Sequence, residues 1–273
     1  MKLLFALLLS SIAAQTFADS EPRSTARSSI ESTSSVIYLG NEGLLVQHGD
    51  TKVLFDPFFH NAFNTYQLVP DNIRKALFSG EPPYDNISAI FVSHAHGDHF
   101  SADDVADFLQ KNPNTSVIAP RQAIDKLDLP KQAKANIVAV DLAYQDAPVY
   151  QKIGKLEFDA VRIPHAGWPQ RAEVENIIFR VRLEGELTVV HMGDADPDDA
   201  HFKPLIEHWE KKSIDAAFPP YWFFVSRSGP MILKDRVKAK INIGIHVPIK
   251  VPFDLFQSGE QYFTEPGKGV KFN

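Results

Sequence analysis

A layered α/β domain is what this sequence predicts, on three observations. Strand-like and helix-like runs alternate along most of the chain. Of its 273 residues 44% are hydrophobic, ample for a sizeable core. The densest histidine cluster lies between a buried-strand pattern and the start of a capped helix.

Residues 1–18 read as a secretory signal. Lys2 supplies a positive charge, residues 3–14 are apolar except for Ser10 and Ser11, and Thr16-Phe17-Ala18 offers small residues where a signal peptidase cleaves. The run is too short for a membrane span, which needs roughly 20 apolar residues. A periplasmic or secreted product with no stable membrane anchor is expected. The chain has no cysteine, which excludes disulfides and a lipidated cysteine. Residues 19–35, rich in Ser, Thr, Arg and Glu around one large apolar residue, Ile30, read as a flexible leader. The folded domain is expected over 36–273. Its partner is expected to be a small molecule; a formal net charge of −6 speaks against nucleic acid.

The domain opens with two strand-like runs, 36–46 and 52–58, around a polar turn at His48-Gly49-Asp50-Thr51, so a hairpin is expected there. Residues 58–85 scatter Phe58, Phe59, Phe63, Tyr66, Phe78 and Tyr84 among Pro, Asn and Gly, which reads as a long loop able to form an apolar lip. Then comes Ile90-Phe-Val-Ser-His-Ala-His-Gly-Asp-His-Phe100, with His94, His96, Asp98 and His99 within six positions. Neutral imidazole and carboxylate suit a borderline divalent ion, and the short spacing lets a loop leaving a strand aim several ligands at one point. His94 and His96 project the same way while Asp98 and His99 can turn toward a second point, so two ions are expected. Ser101 and Asp104 read as a capping box for a helix whose stripe is Val105, Phe108 and Leu109. A strand at 116–119, a helix over 122–127 and a strand over 137–142 continue the alternation.

In the second half, a strand-like run over 155–164 delivers His165, and a hairpin around Glu184-Gly185-Glu186 ends in His191-Met192-Gly193-Asp194. Asp196, Asp198 and Asp199 read as solvated turn residues beside Pro197. His201 and His208 read as members of a surface helix over 201–212, and His48 and His60 as surface histidines. A strand at 213–218 leads to Pro219-Pro-Tyr-Trp-Phe-Phe-Val225, in which Tyr221 or Trp222 could reach a substrate, and Arg227 is a candidate anion contact. A helix over 230–240 with Pro230 in its first turn precedes a strand ending at His246-Val247-Pro248.

The motif His-x-His-x-Asp-His at His94, His96, Asp98 and His99 resembles the signature of the metallo-β-lactamase superfamily, and the likeness runs from about Val36 to the C-terminus. The resemblance implies a four-layered αββα sandwich. It implies one metal held by His94, His96 and His165, another by Asp98, His99 and His246, and Asp194 shared between them. It makes Asp56 a residue that holds a ligand in place. Asp98 and Tyr221 are the expected catalytic residues, the Tyr221 phenol able to hydrogen-bond a developing oxyanion. The opening Gly-containing strand and the Asp56-Pro57 step resemble members of the ascorbate-phosphate lactonase type and the N-acyl-phosphatidylethanolamine phospholipases. The activity implied is hydrolysis of a lactone, other carboxylic ester or phosphodiester; a β-lactam hydrolase without a cysteine ligand and a non-catalytic binding module are the alternatives. The ligand set suits zinc best, with manganese or iron also compatible. Two such ions activate water and polarise the group under attack.

Overall fold

The computed structural model describes residues 33–130 and 136–272. The expected signal and the leader through residue 32 lie outside the described residues. The strands are β1 (Ser34–Gly40), β2 (Gly43–His48), β3 (Thr51–Phe55), β4 (Ile87–Phe91), β5 (Ser116–Pro120), β6 (Ile137–Val140) and β7 (Val149–Ile153). They continue with β8 (Leu156–Arg162), β9 (Ile177–Leu183), β10 (Leu187–His191), β11 (Ile214–Phe218), β12 (Ala239–Gly244), β13 (Gln261–Tyr262) and β14 (Gly269–Phe272). They form two seven-stranded sheets, ordered β14-β1-β2-β3-β4-β5-β6 and β13-β12-β11-β10-β9-β8-β7.

Alternation along the strands decides the layering. Val36, Tyr38, Val53, Phe55, Ala89 and Phe91 of the first sheet join Phe158, Phe179, Val189 and Phe218 of the second in one buried cluster. Their neighbours Leu39, Leu54 and Ile90 face the other way, onto α1 (Asp71–Ser79) and α2 (Ala102–Lys111). In the second sheet Val190 and Ala217 likewise face outward, onto Phe202, Trp209 and Phe223 from the short helices after β10 and β11. Strands buried on both faces read as nearly continuous apolar runs. The result is the αββα sandwich that the resemblance implies.

Each sheet is antiparallel in one part and parallel in another: β3, β4, β5 and β6 run parallel, as do β10, β11, β12 and β13. In such sheets, ligand sites form beyond the carboxyl ends of the strands.

Several local expectations are corrected. Strand β1 starts at Ser34, two residues before 36, because Ser34 and Ser35 pair with both β2 and β14. The loop over 58–85 contains α1, whose Ile73 and Leu77 cover the first sheet. Ser101 caps α2, but Asp104 turns to Arg74 and His60 instead of closing the box. The helix expected over 201–212 breaks at Lys203–Leu205, where Pro204 interrupts it. That break turns His201 and His208 inward. Both are buried, His201 against the Tyr144 hydroxyl at 2.8 Å and His208 beside Arg180 and Asp159. His48 is buried as well, with its Nδ1 2.8 Å from the Ser34 hydroxyl, since the sheet pairing sets Ser34 opposite it; His60 stays exposed. The helix expected over 230–240 ends at Val237 after a π-helical turn, since Ala239 already pairs with Ile214. No helix of the described residues is long and apolar enough to cross a membrane.

Candidate metal centre

Every group of interest follows the carboxyl end of a strand or a turn beside one. Asp56 follows β3, residues 93–99 follow β4, His165 follows β8, Asp194 follows β10 and His246 follows β12. Backbone hydrogen bonds stitch these loops together. Asp56 N donates to Phe91 O, Ala166 N to Asp194 O, and His246 N to Asn41 O, at 3.0, 2.7 and 3.0 Å. Asp56 and His246 have φ of 39° and 56°, left-handed values that cost a non-glycine residue roughly 1–2 kcal/mol each. The surrounding bonds hold that strain, as expected where side chains must be aimed.

All seven expected ligands are brought together. His94, His96, His165 and Asp194 offer ligand atoms within 4.8 Å of one another, and so do Asp98, His99 and His246. Asp194 divides its carboxylate between the two sets. Its Oδ2 lies 3.1 Å from His165 Nε2 and 3.9 Å from His94 Nε2. Its Oδ1 lies 3.2 Å from His246 Nε2 and 3.5 Å from His99 Nε2. Asp98 Oδ2 is 3.6 Å from both His99 Nε2 and His246 Nε2.

The fit to cations is tested by the atoms left over. His99 Nε2, His165 Nε2, His246 Nε2 and Asp194 Oδ1 are buried without hydrogen-bond partners and converge on two points. Buried polar atoms are normally paired, and a divalent ion at each point would pair them. The residues fit.

The nitrogens facing away from these points fix the tautomers. Asp56, fully buried, accepts from Ser93 N at 2.7 Å, from Ser93 Oγ at 2.5 Å and from His99 Nδ1 at 2.9 Å. Ser93 Oγ in turn accepts from His94 Nδ1 at 3.0 Å. His165 Nδ1 donates to Ala166 O at 2.7 Å. Each ring thereby presents its Nε2 lone pair inward, the arrangement by which outer partners orient metal ligands. Asp56 thus has the role that the resemblance implies.

Charge follows burial and neighbours. Burial, then the neighbouring His99, holds His94 well below the usual histidine range, and burial, then His165, lowers His96. Burial opposes charge on Asp194, but His246 and His99 outweigh it and keep its carboxyl well below the usual range. Burial would also raise Asp98, yet the neighbouring His246, with Nε2 3.6 Å from its Oδ2, brings it down. His246, where burial is outweighed by Asp194, is pushed up to about 9. Cations are what this anionic pair attracts, and a bound ion would replace the protons.

Asn176, Asn41 and Glu42 carry no signal in the sequence pattern. Asn176 is fully buried and takes Asp194 N on its Oδ1 at 3.0 Å while donating to Ile163 O and Met192 O. Gly193, with φ of +52°, leaves no room for a side chain: a Cβ would sit 2.4 Å from Asn176 Oδ1. Asn41 and Glu42 sit in the β1–β2 turn beside the site. A cleft of about 500 Å³ opens onto His96, Asp98, Asp194 and His246, walled by Tyr66 and Arg171. The Tyr66 ring meets His246 edge-on with centroids 4.1 Å apart. Tyr221 lies half-buried at the start of the helix Trp222–Val225, and burial raises its phenol. Trp222 donates to Ala195 O at 3.0 Å with its ring 5.2 Å from His246. Arg227 is exposed and is not part of the cleft wall; Arg171 is. Asp196 accepts from Gly167 N and Trp168 N, Asp198 accepts from Ala200 N, and Asp199 pairs with Arg236, so all three brace turns.

The family model described as "Beta-lactamase superfamily domain" matches residues 35–208, more than half of the chain. The chain belongs to that superfamily. A metal-dependent hydrolase of Alkaliphilus metalliredigens (strain QYMF), of the group UPF0173, is 32% identical over 65 residues, which span 24% of this chain and 23% of that relative. Among solved structures, Igni18, a metallo hydrolase from Ignicoccus hospitalis KIN4/I, superposes with a TM-score of 0.58 at 12% identity, covering 88% of this chain and 99% of that one. An isothiocyanate hydrolase from Delia radicum gut bacteria gives 0.56 at 14% identity, covering 87% and 99%. The diiron β-hydroxylase CmlA from Streptomyces venezuelae gives 0.53 at 13% identity, covering 88% of this chain and 54% of that one. At such identities the structural likeness establishes the fold, and the fold accommodates more than one chemistry.

Proposed function

We propose that this chain is a binuclear metal-dependent hydrolase of an ester-like bond in a small molecule: a lactone, another carboxylic ester or a phosphodiester. The observation that carries this is the divided Asp194 carboxylate, with one oxygen toward His94 and His165 and the other toward His99 and His246. The sequence relative and two of the three fold neighbours described above are named hydrolases.

Bound divalent ions would supply Lewis acidity and a readily deprotonated water at neutral pH. The histidine-dominated donors suit zinc, with manganese or iron compatible. The chain's own groups do the rest. Asp98 remains a carboxylate, with Oδ2 3.6 Å from His246 Nε2. Burial raises the Tyr66 phenol, with Asp194 adding to the effect, so it stays protonated and can donate to an oxygen gaining negative charge. Tyr221, raised by burial and near enough to Tyr66 to add to that phenol's rise, is proposed for the same task. Arg171, with Nη1 3.4 Å from His165 Nδ1, would hold an anionic group of the substrate at the cleft mouth. Export follows from the charged and apolar start of the sequence and is part of the proposal, checked by N-terminal sequencing of the product found outside the cytoplasm.

The test is a panel of lactones, carboxylic esters, phosphodiesters and nitrocefin, run on zinc- and manganese-loaded protein. Turnover of one ester-like class that is abolished by chelation and restored by metal is expected. No turnover of any member by fully loaded protein would overturn the proposal.

A further inference from the structure

We propose that Glu42 is a ligand of the second metal, making that site one of three carboxylates, Asp98, Asp194 and Glu42, and two imidazoles, His99 and His246. The inference rests on the binuclear reading above and adds to it a ligand outside the His-x-His-x-Asp-His motif.

The β1–β2 turn is built around this site. Asn41 Nδ2 donates to Asp98 O at 3.0 Å, and Asn41 O accepts from His246 N at 3.0 Å, so the turn is fastened to the backbone of two second-site ligands. Gly40, with φ of +146°, packs where a Cβ would lie 2.9 Å from the Leu68 carbonyl carbon, which fixes the turn from behind. Glu42 is thereby carried into the interior at 0% exposure.

There no lysine or arginine of the described residues pairs with it. Both carboxylate oxygens lack a hydrogen-bond partner. Two imidazole nitrogens lie 3.7 Å from Oε2 and are already committed elsewhere: His99 Nδ1 to Asp56 Oδ2 at 2.9 Å, and His191 Nε2 to the Glu42 carbonyl at 3.0 Å. Its other close neighbours include Asp194, and the ligand atoms of Glu42, Asp194 and His246 lie within 4.8 Å of one another. His246 Nε2 and Asp194 Oδ1 are themselves unpartnered. A buried carboxylate is tolerated when it is paired or coordinates a metal. A divalent ion at the point these atoms share would satisfy all three residues.

An oxygen-rich second site favours ions that take more and harder ligands, such as manganese, over zinc, relative to the histidine-rich first site. Metal-stripped wild type and Glu42→Gln are therefore titrated calorimetrically with zinc and with manganese, and bound metal is counted after gel filtration. Gln keeps the shape and mimics a protonated, non-coordinating Glu. The expected result is two equivalents in wild type. In the variant, one site is unchanged and the other weakened by about 10- to 100-fold, with the larger loss for manganese. Metal-free Glu42→Gln is expected to melt close to wild type, since Gln fills the same buried space. If it melts below, Glu42→Asp, which keeps the carboxylate but shortens its reach, is expected to show the same selective loss. Both sites unchanged in a folded variant would overturn the assignment. A wild type that binds no metal would instead overturn the binuclear reading itself.

Discussion

Replacing Asp56 by Asn should separate the orientation of a ligand from the ligand itself. Asn accepts a left-handed φ readily, so the 39° at this position adds no new strain. Its amide oxygen can still accept from Ser93 N, as Asp56 Oδ1 does at 2.7 Å. The NH₂ that replaces Oδ2 cannot accept from His99 Nδ1, now 2.9 Å away. His99 must then move its proton to Nε2, the nitrogen that faces Asp98 and Asp194. The bond lost is charge-assisted and worth roughly 1.5–3 kcal/mol. Over the second site that corresponds to about 10- to 100-fold in metal affinity, the range usual for removing such a partner. Competition for zinc against a chromophoric chelator reads the change, with melting of the metal-free protein as the fold control. A folded variant whose two zinc affinities stay within about threefold of wild type would refute the reasoning.

Three further outcomes are expected. Gly193→Ala should destabilise the protein by about 1–3 kcal/mol or more in urea unfolding and lower bound metal, because the new Cβ meets Asn176 Oδ1 at 2.4 Å and Ser93 Cβ at 2.7 Å at a φ of +52°. His208, pushed down to about 3 by burial and then by Arg180, is neutral in the fold and binds protons more readily when unfolded. Its contribution is whole above about pH 6.5 and is lost as pH falls toward 3, by up to about 5 kcal/mol, so His208→Asn should flatten the pH dependence of denaturation across that window. Arg171→Gln should raise KM about tenfold or more for an anionic substrate while leaving a neutral one nearly unchanged, as steady-state kinetics on a matched pair would show.

Much of the site was legible because its ligands are punctuation. His94 to His99 interrupt an apolar run, and Gly193-Asp194 and His246 each close one, so the sequence marks where strands end. The pairing of His165 with that motif comes from the superfamily resemblance, since the 65 intervening residues carry no geometry of their own. The outer groups were not legible for a physical reason. Asn176, Asn41 and Glu42 look like ordinary turn residues until two sheets fold their turns against one another. The inward histidines have no sequence signature because Pro204 breaks the helical phase between His201 and His208, and both face the core. The helix Asp71–Ser79 carries no start signal, because Pro70 before it offers no side-chain cap. Tyr66 and Arg171, on long irregular segments, show how substrate-facing residues sit where sequence periodicity says least.

The central claim is that Asp194 joins two metal sites, and elemental analysis of purified wild type and Asp194→Asn tests it most directly. Two equivalents of metal in wild type are expected, with a folded variant retaining one or fewer and losing hydrolysis with the metal. Two tightly held equivalents in the variant, or none in wild type resupplied with zinc and manganese, would contradict it.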